Sequence, residues 1–109
     1  LIAVVDYNGQ QIDGPVDEVM PLGNLKGKWE AFGWLVMEMD GNVVEEVLAT
    51  MKESQRQCGK GKPVVVLMKT IMGKGVDFME GSHKWHGSPP NDEQLEIALA
   101  LLEETLGDY

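Results

Sequence analysis

The sequence predicts an α/β fold in which a parallel sheet carries helices on both faces. Residues 1–5 and 64–68 are continuous apolar runs, and residues 34–39 form a third run of strand-forming residues. Continuous apolar runs of this length are typical of strands covered on both faces. Helical patterns lie between the runs, and strands that alternate with helices predict a parallel sheet.

Local signals justify the helices that follow the first two strands. Apolar side chains recur at helical spacing over residues 25–32, and Gly33 stands where a C-terminal cap belongs. An amphipathic pattern predicts a longer helix over residues 43–57, with Asn42 as its N-cap. Four apolar side chains of this helix are expected on one face: Val44, Val47, Leu48 and Met51.

The chain closes with a third predicted helix, which begins after an N-capping Asn91. Its acidic first turn suits the positive end of a helix dipole. The periodicity predicts that five side chains face inward: Leu95, Ile97, Ala98, Leu101 and Leu102.

Two long loops leave the carboxyl ends of predicted strands. Residues 6–24 follow the first strand, and residues 69–90 follow the third. Loops of this length in a compact domain are usually functional or disordered, and ligands of parallel sheets bind at the carboxyl ends of the strands. We therefore expect the chemistry of this protein in these two loops.

Composition narrows the classes of function. The chain has 109 residues, enough for one small domain, and 18 acidic against 9 basic residues give a net charge of -9. This balance argues against nucleic-acid or anionic-membrane binding as the main task. A phosphate-bearing ligand would need backbone N–H groups, a helix N-terminus or a divalent cation.

The sequence also indicates a cytoplasmic protein. Cys58 is the lone cysteine, which excludes an intrachain disulfide and fits a reducing cytosol. No apolar run approaches the roughly 18 residues that span a bilayer, and no signal-peptide pattern is present. The chain opens directly on a strand-like run without an initiating Met, so we expect it to be a piece of a longer polypeptide.

The first loop contains a candidate metal site at Asn8. Asn-Gly is a common turn sequence, because both residues tolerate positive φ, and this structural interpretation stays open. The functional alternative is that the Asn8 amide oxygen and a backbone carbonyl aimed by the turn bind a hard divalent cation. Oxygen ligands from side chain, backbone and substrate phosphate are how Mg²⁺ is normally held.

The second loop contains two histidines, His83 and His86, around Trp85. A zinc site is disfavoured because no third ligand stands at a usual spacing, and each histidine alone could be a surface residue. Gly73 and Gly75 do not open a helix, so neither a dinucleotide fingerprint nor a P-loop is supported. An imidazole in a Gly-rich loop at the carboxyl edge can exchange protons near neutral pH, which favours His86 as a functional group.

A set of motifs runs in order along nearly the whole chain. They are Leu1-Ile-Ala-Val-Val-Asp-Tyr-Asn-Gly9, Ile12-Asp-Gly14, Trp29-Glu-Ala-Phe-Gly-Trp34, Asp40-Gly41, Lys69-Thr70 with Gly73-x-Gly75, and His83-x-x-His86-Gly-x-Pro89. Together these motifs resemble the thiamine-diphosphate-binding domain of transketolase. The resemblance is especially close to the bacterial and archaeal enzymes that are split into two chains, where it covers the later part of the N-terminal subunit.

The resemblance implies specific roles and two cofactors, thiamine diphosphate and Mg²⁺. Asn8 would bind Mg²⁺ through its side chain and Gln10 through its backbone carbonyl, with the metal bridging to the diphosphate. Ile12 would pack against the cofactor rings, and Met72 stands where the family often has a cofactor-contacting Ile. His86 would assist proton transfer beside the reacting carbon.

The resemblance also implies what His83 does and what the chain lacks. His83 would orient His86 or touch the diphosphate. The family's metal motif begins with Gly-Asp-Gly upstream of the Asn, before the start of this sequence. We therefore expect residues 1–109 to be the later part of the domain, inactive alone and binding the cofactor weakly or not at all.

The resemblance further implies the reaction and the partners. The parent enzyme would transfer a two-carbon ketol unit between sugar phosphates. It would act as a homo- or hetero-oligomer with a partner subunit that carries the pyrimidine-binding and C-terminal domains. Two alternatives stay open: deoxyxylulose-phosphate synthase or another thiamine-diphosphate enzyme, and a noncatalytic interaction module that uses exposed apolar surface.

Overall fold

The computed structural model describes residues 1–103, and it forms the predicted parallel sheet. The long loops contain short elements that the sequence did not predict, including a small hairpin. In chain order the elements are β1 (Ile2–Tyr7), β2 (Gln10–Gln11), β3 (Gly14–Pro15), α1 (Val16–Val19), α2 (Leu25–Ala31), β4 (Leu35–Asp40), α3 (Val44–Gln57), β5 (Val64–Lys69), a 3₁₀ helix (His83–His86) and α4 (Asp92–Leu101).

The main sheet has three parallel strands in the order β1-β5-β4. Four consecutive residues of the central β5, residues 64–67, are at most 2% exposed. Since successive side chains of a strand point to opposite faces, both faces of β5 are covered. At the carboxyl edge Tyr7 and Asp40 flank Lys69, so the loops that leave β1 and β5 start side by side.

Helices cover the two faces of the sheet, as the sequence predicts. Met37 and Glu38 are neighbours on β4 and therefore point to opposite faces. Ser54 of α3 is buried, and its hydroxyl lies 3.3 Å from the Met37 sulfur. Lys26 of α2 donates to Glu38 at 3.1 Å. Helix α3 thus packs on one face and α2 on the other.

The prediction of Asn42 as the N-cap of α3 is wrong. Val43 occupies the N-cap position, and no side chain caps the helix. The Asn42 Oδ1 instead accepts a hydrogen bond from the Ile71 N–H at 2.8 Å. Pairing of β4 with β5 ends at Lys69, so the N–H of Ile71 needs a partner outside the strand ladder, and Asn42 supplies it.

The expected inward face of the last helix is also wrong, except at Ala98, which is buried. The apolar pattern identifies side chains that need cover, but it cannot tell whether a neighbouring element provides it. Within the described residues that cover is incomplete. The other four side chains are 44–47% exposed: Leu95, Ile97, Leu101 and Leu102.

The predicted apolar face of α3 is only partly covered. Val47 and Met51 are partly buried, whereas Val44 is 66% and Leu48 55% exposed.

The described residues form a slab of 52 × 39 × 16 Å with a radius of gyration of 16.9 Å. A compact domain of this length has a radius of about 13 Å. Every helix among these residues is too short or too polar to cross a bilayer.

Candidate functional site

An open cleft of about 330 Å³ lies at the carboxyl edge of the sheet. It forms where β1 and β5 end side by side, because the first loop turns back over this edge. Its walls come from both loops and the ends of both strands: Tyr7, Asn8, Gly9, Val16, Asp17, Lys69 and Thr70.

A tight turn fixes Asn8 at the start of the first loop. Its Oδ1 accepts a hydrogen bond from the Gln10 N–H at 2.8 Å. Gly9 between them has a φ of 71°, in the left-handed region where glycine is favoured. The Gly9 carbonyl accepts from the Val16 N–H at 2.9 Å, which closes the loop onto the start of α1. The Asn-Gly sequence therefore forms a turn and also lines the cleft.

The pairing of β2 with β3 determines which way the Gln10 carbonyl points. Gln10 lies opposite Pro15, which has no N–H to donate, while Val16 donates to Gly9 on the adjacent pair. In an antiparallel ladder these pairs alternate, so the N–H and carbonyl of Gln10 both point away from β3. Because that N–H meets Asn8 Oδ1, the amide oxygen of Asn8 and the Gln10 carbonyl share one edge of the hairpin.

This donor set suits a hard divalent cation. An amide oxygen that accepts one hydrogen bond keeps a second lone pair, and Mg²⁺ prefers such oxygens with phosphate and water completing its octahedron. Within residues 1–103 no three His, Cys, Asp or Glu side chains cluster as a metal site. The amide oxygen of Asn8 and the peptide oxygen of Gln10 are thus the donors that this turn offers to a cation.

Lys69 is a cleft residue that the sequence reasoning did not assign. It is the last residue of β5, and its Nζ lies 3.6 Å from Glu38 on β4. The hydrogen bond from Lys26, reinforced by its charge, lowers the pKa of Glu38, which keeps this carboxylate ionised beside Lys69. The signal was its position at the carboxyl end of the central strand.

The second loop places its histidines on a short 3₁₀ helix, at the first and last positions. Trp85 anchors this helix: its Nε1 donates to the Phe78 carbonyl at 3.0 Å, and the two rings meet edge to face at 5.4 Å. His83 is partly buried and His86 is exposed. The anchor leaves the His86 imidazole accessible from solvent.

Two further hydrogen bonds fold the second loop back on itself. The Gly81 N–H donates to the Met72 carbonyl at 2.8 Å. The Gly75 N–H donates to Glu80 at 2.9 Å, and Lys74 lies 3.5 Å from the same carboxylate. The Gly75 N–H, with a smaller effect of Lys74, lowers the pKa of Glu80. The loop therefore has a defined shape between Met72 and the histidines.

The structure brings some of the predicted site residues together and leaves others apart. Asn8 lines the cleft, and Gln10 is hydrogen bonded to it. Ile12 is 70% exposed at the tip of the β2-β3 hairpin. Of the predicted site residues, Asn8 is among the described residues that line the cleft, whereas five are not: Gln10, Ile12, Met72, His83 and His86. Their roles toward a cofactor stay predictions.

Comparison with known proteins indicates the family of the chain. The family model described as the transketolase thiamine-diphosphate-binding domain matches residues 1–106. A 6-deoxy-6-sulfo-D-fructose transketolase subunit of Clostridium sp. is 41% identical over 95% of this chain. An apulose-4-phosphate transketolase subunit of Phocaeicola vulgatus is 39% identical over 97%. The chain spans 37% of the length of each relative.

The fold agrees with a solved structure of the same family. A transketolase of Campylobacter jejuni superposes with a TM-score of 0.79 and 32% sequence identity. The superposition covers 92% of this chain and 15% of that protein. The fold predicted from the sequence, a parallel sheet with helices, is confirmed by this match.

Proposed function

We propose, since this chain belongs to the transketolase family of thiamine-diphosphate-binding domains, that it helps to transfer a two-carbon ketol unit between sugar phosphates. Its named relatives are transketolase subunits for sugar derivatives, which supports a carbohydrate substrate of this class. Because the chain spans 37% of their length, it contributes one part of the enzyme.

The observation that carries the proposal is the turn at Asn8. Its amide oxygen and the outward carbonyl of Gln10 share one edge beside the cleft. We propose that both bind Mg²⁺, which bridges to the diphosphate of the cofactor. A divalent cation also resolves the problem of holding an anion on a chain with a net charge of -9.

Other residues of the two loops would contact the cofactor. Lys69, which lines the cleft together with Asn8, would supply a positive charge to the diphosphate. Ile12 stands exposed at the hairpin tip, where an apolar side chain is free to pack against the cofactor rings. Met72 of the second loop, which is partly buried, would also contact the cofactor. When bound, thiamine diphosphate supplies the carbon–carbon bond chemistry.

His86 is the proposed proton-transfer group. It is exposed at the end of a 3₁₀ helix that Trp85 fixes in place, so its imidazole is accessible to a substrate. His83, partly buried at the other end of the same helix, would orient His86 or touch the diphosphate. A positioned acid or base of this kind typically contributes 10²–10⁴-fold to the rate.

The chain would act only within a larger assembly. Several apolar side chains of α3 and α4 are 44–66% exposed, which suits surfaces that pack against further protein. We propose a partner subunit that carries the pyrimidine-binding and C-terminal domains, in a homo- or hetero-oligomer. The 109-residue chain alone would be inactive.

Calorimetric titration with thiamine diphosphate and Mg²⁺ tests the proposal. The complete enzyme that carries this chain should bind the cofactor, and Asn8→Ala should weaken binding at least 10-fold because a metal ligand is lost. Asn91→Ala is the matched control, since Asn91 makes a similar side-chain bond at the start of α4, away from the cleft. The 109-residue chain alone should show no micromolar binding.

Equal affinity in the Asn8 and Asn91 variants would overturn the metal assignment. Micromolar binding by the isolated chain would overturn its dependence on a partner. A screen of ketol donors and acceptors on the complete enzyme separates transketolase activity from that of deoxyxylulose-phosphate synthase, where the substrates differ.

A further inference from the structure

Three consecutive residues at the point where the second loop leaves β5 are each tied to a neighbouring segment. Two of the ties come from the turn after β4, and one comes from β1. The hydrogen bonds are Gly41 N–H to the Lys69 carbonyl at 2.7 Å, the Thr70 hydroxyl to the Asp6 carboxylate, and Ile71 N–H to Asn42 Oδ1 at 2.8 Å. We name Asp6, Asn42, Thr70 and Ile71 the exit clamp.

The exit clamp is additional to the strand ladder. Pairing of β5 ends at Lys69, opposite Tyr7 on one side and Asp40 on the other. Sheet formation therefore does not need Thr70 or Ile71 to bond to either neighbour. The bonds instead set the direction in which the loop leaves the sheet, and they do so from both sides.

The turn that supplies Asn42 is itself held in place. The Asn42 N–H donates to the Asp40 carboxylate at 2.8 Å, and the Asp40 N–H donates to Glu46 of α3 at 2.9 Å. A side chain at Gly41 would collide with the side chains of Met68 and Thr70. Close backbone approach and two side-chain bonds thus present the Asn42 oxygen to Ile71 without rearrangement.

Thr70 is shared by the two cavities at this edge. It lines the cleft that contains Asn8, and it also lines a second cavity of about 270 Å³ with Asn42 and Lys74. Displacement of Thr70 would therefore move a wall of the cleft. It would also move the neighbouring Lys69 relative to Asn8.

We propose that the exit clamp is a positioning device for the cofactor site. It sets the spacing between Lys69 and Asn8 across the cleft and the start of the loop that carries His86. Asn42 and Thr70 are thus positioning residues that act through their neighbours. The consequence for binding rests on the proposed function, whereas the clamp itself can be tested without any ligand.

Two pairs of variants in the complete enzyme test this inference. Asn42→Leu removes the acceptor at similar size, and Asn42→Asp keeps it. Thr70→Val removes the donor, and Thr70→Ser keeps it. We expect Asn42→Leu and Thr70→Val each to weaken thiamine diphosphate binding with Mg²⁺ about 10-fold and to speed amide exchange in the segment at residues 70–72, because a hydrogen bond that fixes the start of the loop is lost. The conservative partners should stay within about 2-fold of the unmodified protein.

Asn24→Leu is the matched control, because Asn24 accepts a bond of 2.9 Å from Gly27 at the start of α2, away from the cleft. It should leave binding and exchange at residues 70–72 unchanged. If either variant fails to fold, the other pair still decides. Unchanged exchange in Asn42→Leu and Thr70→Val, or an Asn42→Asp protein as weak as Asn42→Leu, would overturn the clamp. Failure of the unmodified enzyme to bind the cofactor would overturn the proposed function instead.

Discussion

The two loops at the carboxyl edge of the sheet are held in different ways. In the first loop the bonds are local: Asn8 meets Gln10 two residues on, and Gly9 meets Val16 across a small hairpin. The second loop depends on side chains from farther away. Asn42 holds Ile71 from a position 29 residues earlier, and Asp6 of β1 holds Thr70 from 64 residues earlier.

This difference matches the two tasks of the proposed site, which are metal binding in the first loop and proton transfer in the second. Metal ligands must converge within about 2 Å of one ion, and a tight turn fixes them with little dependence on the rest of the chain. A proton-transfer group must instead meet a substrate, so it needs a loop that is shaped but accessible. We infer that the first loop is the rigid part of the site and the second is the part tuned by distant contacts.

Removal of the His86 imidazole, in the second loop, should have the largest effect on catalysis. His86→Ala in the complete enzyme should lower kcat about 10²–10⁴-fold, because a positioned acid or base is lost, while cofactor affinity changes little. Steady-state kinetics with a ketose donor and an aldose acceptor measure kcat, and calorimetry measures affinity.

Lys84→Ala is the control, since Lys84 lies exposed on the same 3₁₀ helix. Unchanged turnover in His86→Ala would remove His86 from the mechanism. A loss of affinity equal to the loss of turnover would show that the two loops do not divide the work as proposed.

The sequence predicted the first loop better than the second for a physical reason. The signals at Asn8 and Gly9 are local, because a turn depends on the φ that each residue tolerates. The β2-β3 hairpin was missed because its strands, Gln10–Gln11 and Gly14–Pro15, are too short to show a period. The three main strands were predicted because burial on both faces leaves continuous apolar runs.

The predictions that were wrong depend on contacts between residues that lie far apart in sequence. Asn42 is typical of an N-cap, yet a free N–H at Ile71 competes for its oxygen, and only the strand register reveals that neighbour. Lys69 belongs to one of the motifs of the sequence, but nothing in that motif indicated that its side chain lines the cleft. The apolar pattern of α4 shows which side chains would be stabilised by burial. Whether they are buried depends on elements elsewhere in the chain, which that pattern does not reveal.

Substitution of Trp85, which anchors the 3₁₀ helix of the second loop, should have the next largest effect. Trp85→Ala should raise the free energy of the folded loop by about 2 kcal/mol, because ring packing and the bond to Phe78 are lost. Trp85→Phe, which keeps a ring but not the N–H, should cost about 1 kcal/mol. Hydrogen exchange of residues 76–87 in the complete enzyme measures local opening.

Trp29→Phe is a matched control, because the Trp29 Nε1 is buried without a hydrogen-bond partner among the described residues. Loss of that N–H should not destabilise the protein. If Trp85→Phe behaves like Trp29→Phe, the bond to the Phe78 carbonyl does not hold the histidine helix.

The smallest effect is a pH dependence of the bond between Glu80 and Gly75. The N–H of Gly75 lowers the pKa of Glu80 from its ordinary value of 4.5, so the folded loop favours the carboxylate. The resulting stabilisation is fully present above pH 4.5 and is lost as the pH falls through the lowered pKa. Glu80→Gln keeps an acceptor oxygen without the charge, so its loop should show no such loss.

Exchange at the Gly75 amide, corrected for the intrinsic rate at each pH, measures this dependence between about pH 6 and pH 3. The unmodified loop should be the better protected at the upper end, and the two proteins should converge at the lower end. Asp77→Asn, a change at an exposed acid in the same loop, controls for general charge effects. A difference that persists at pH 3 would mean that packing around residue 80, rather than its ionised oxygen, shapes the second loop.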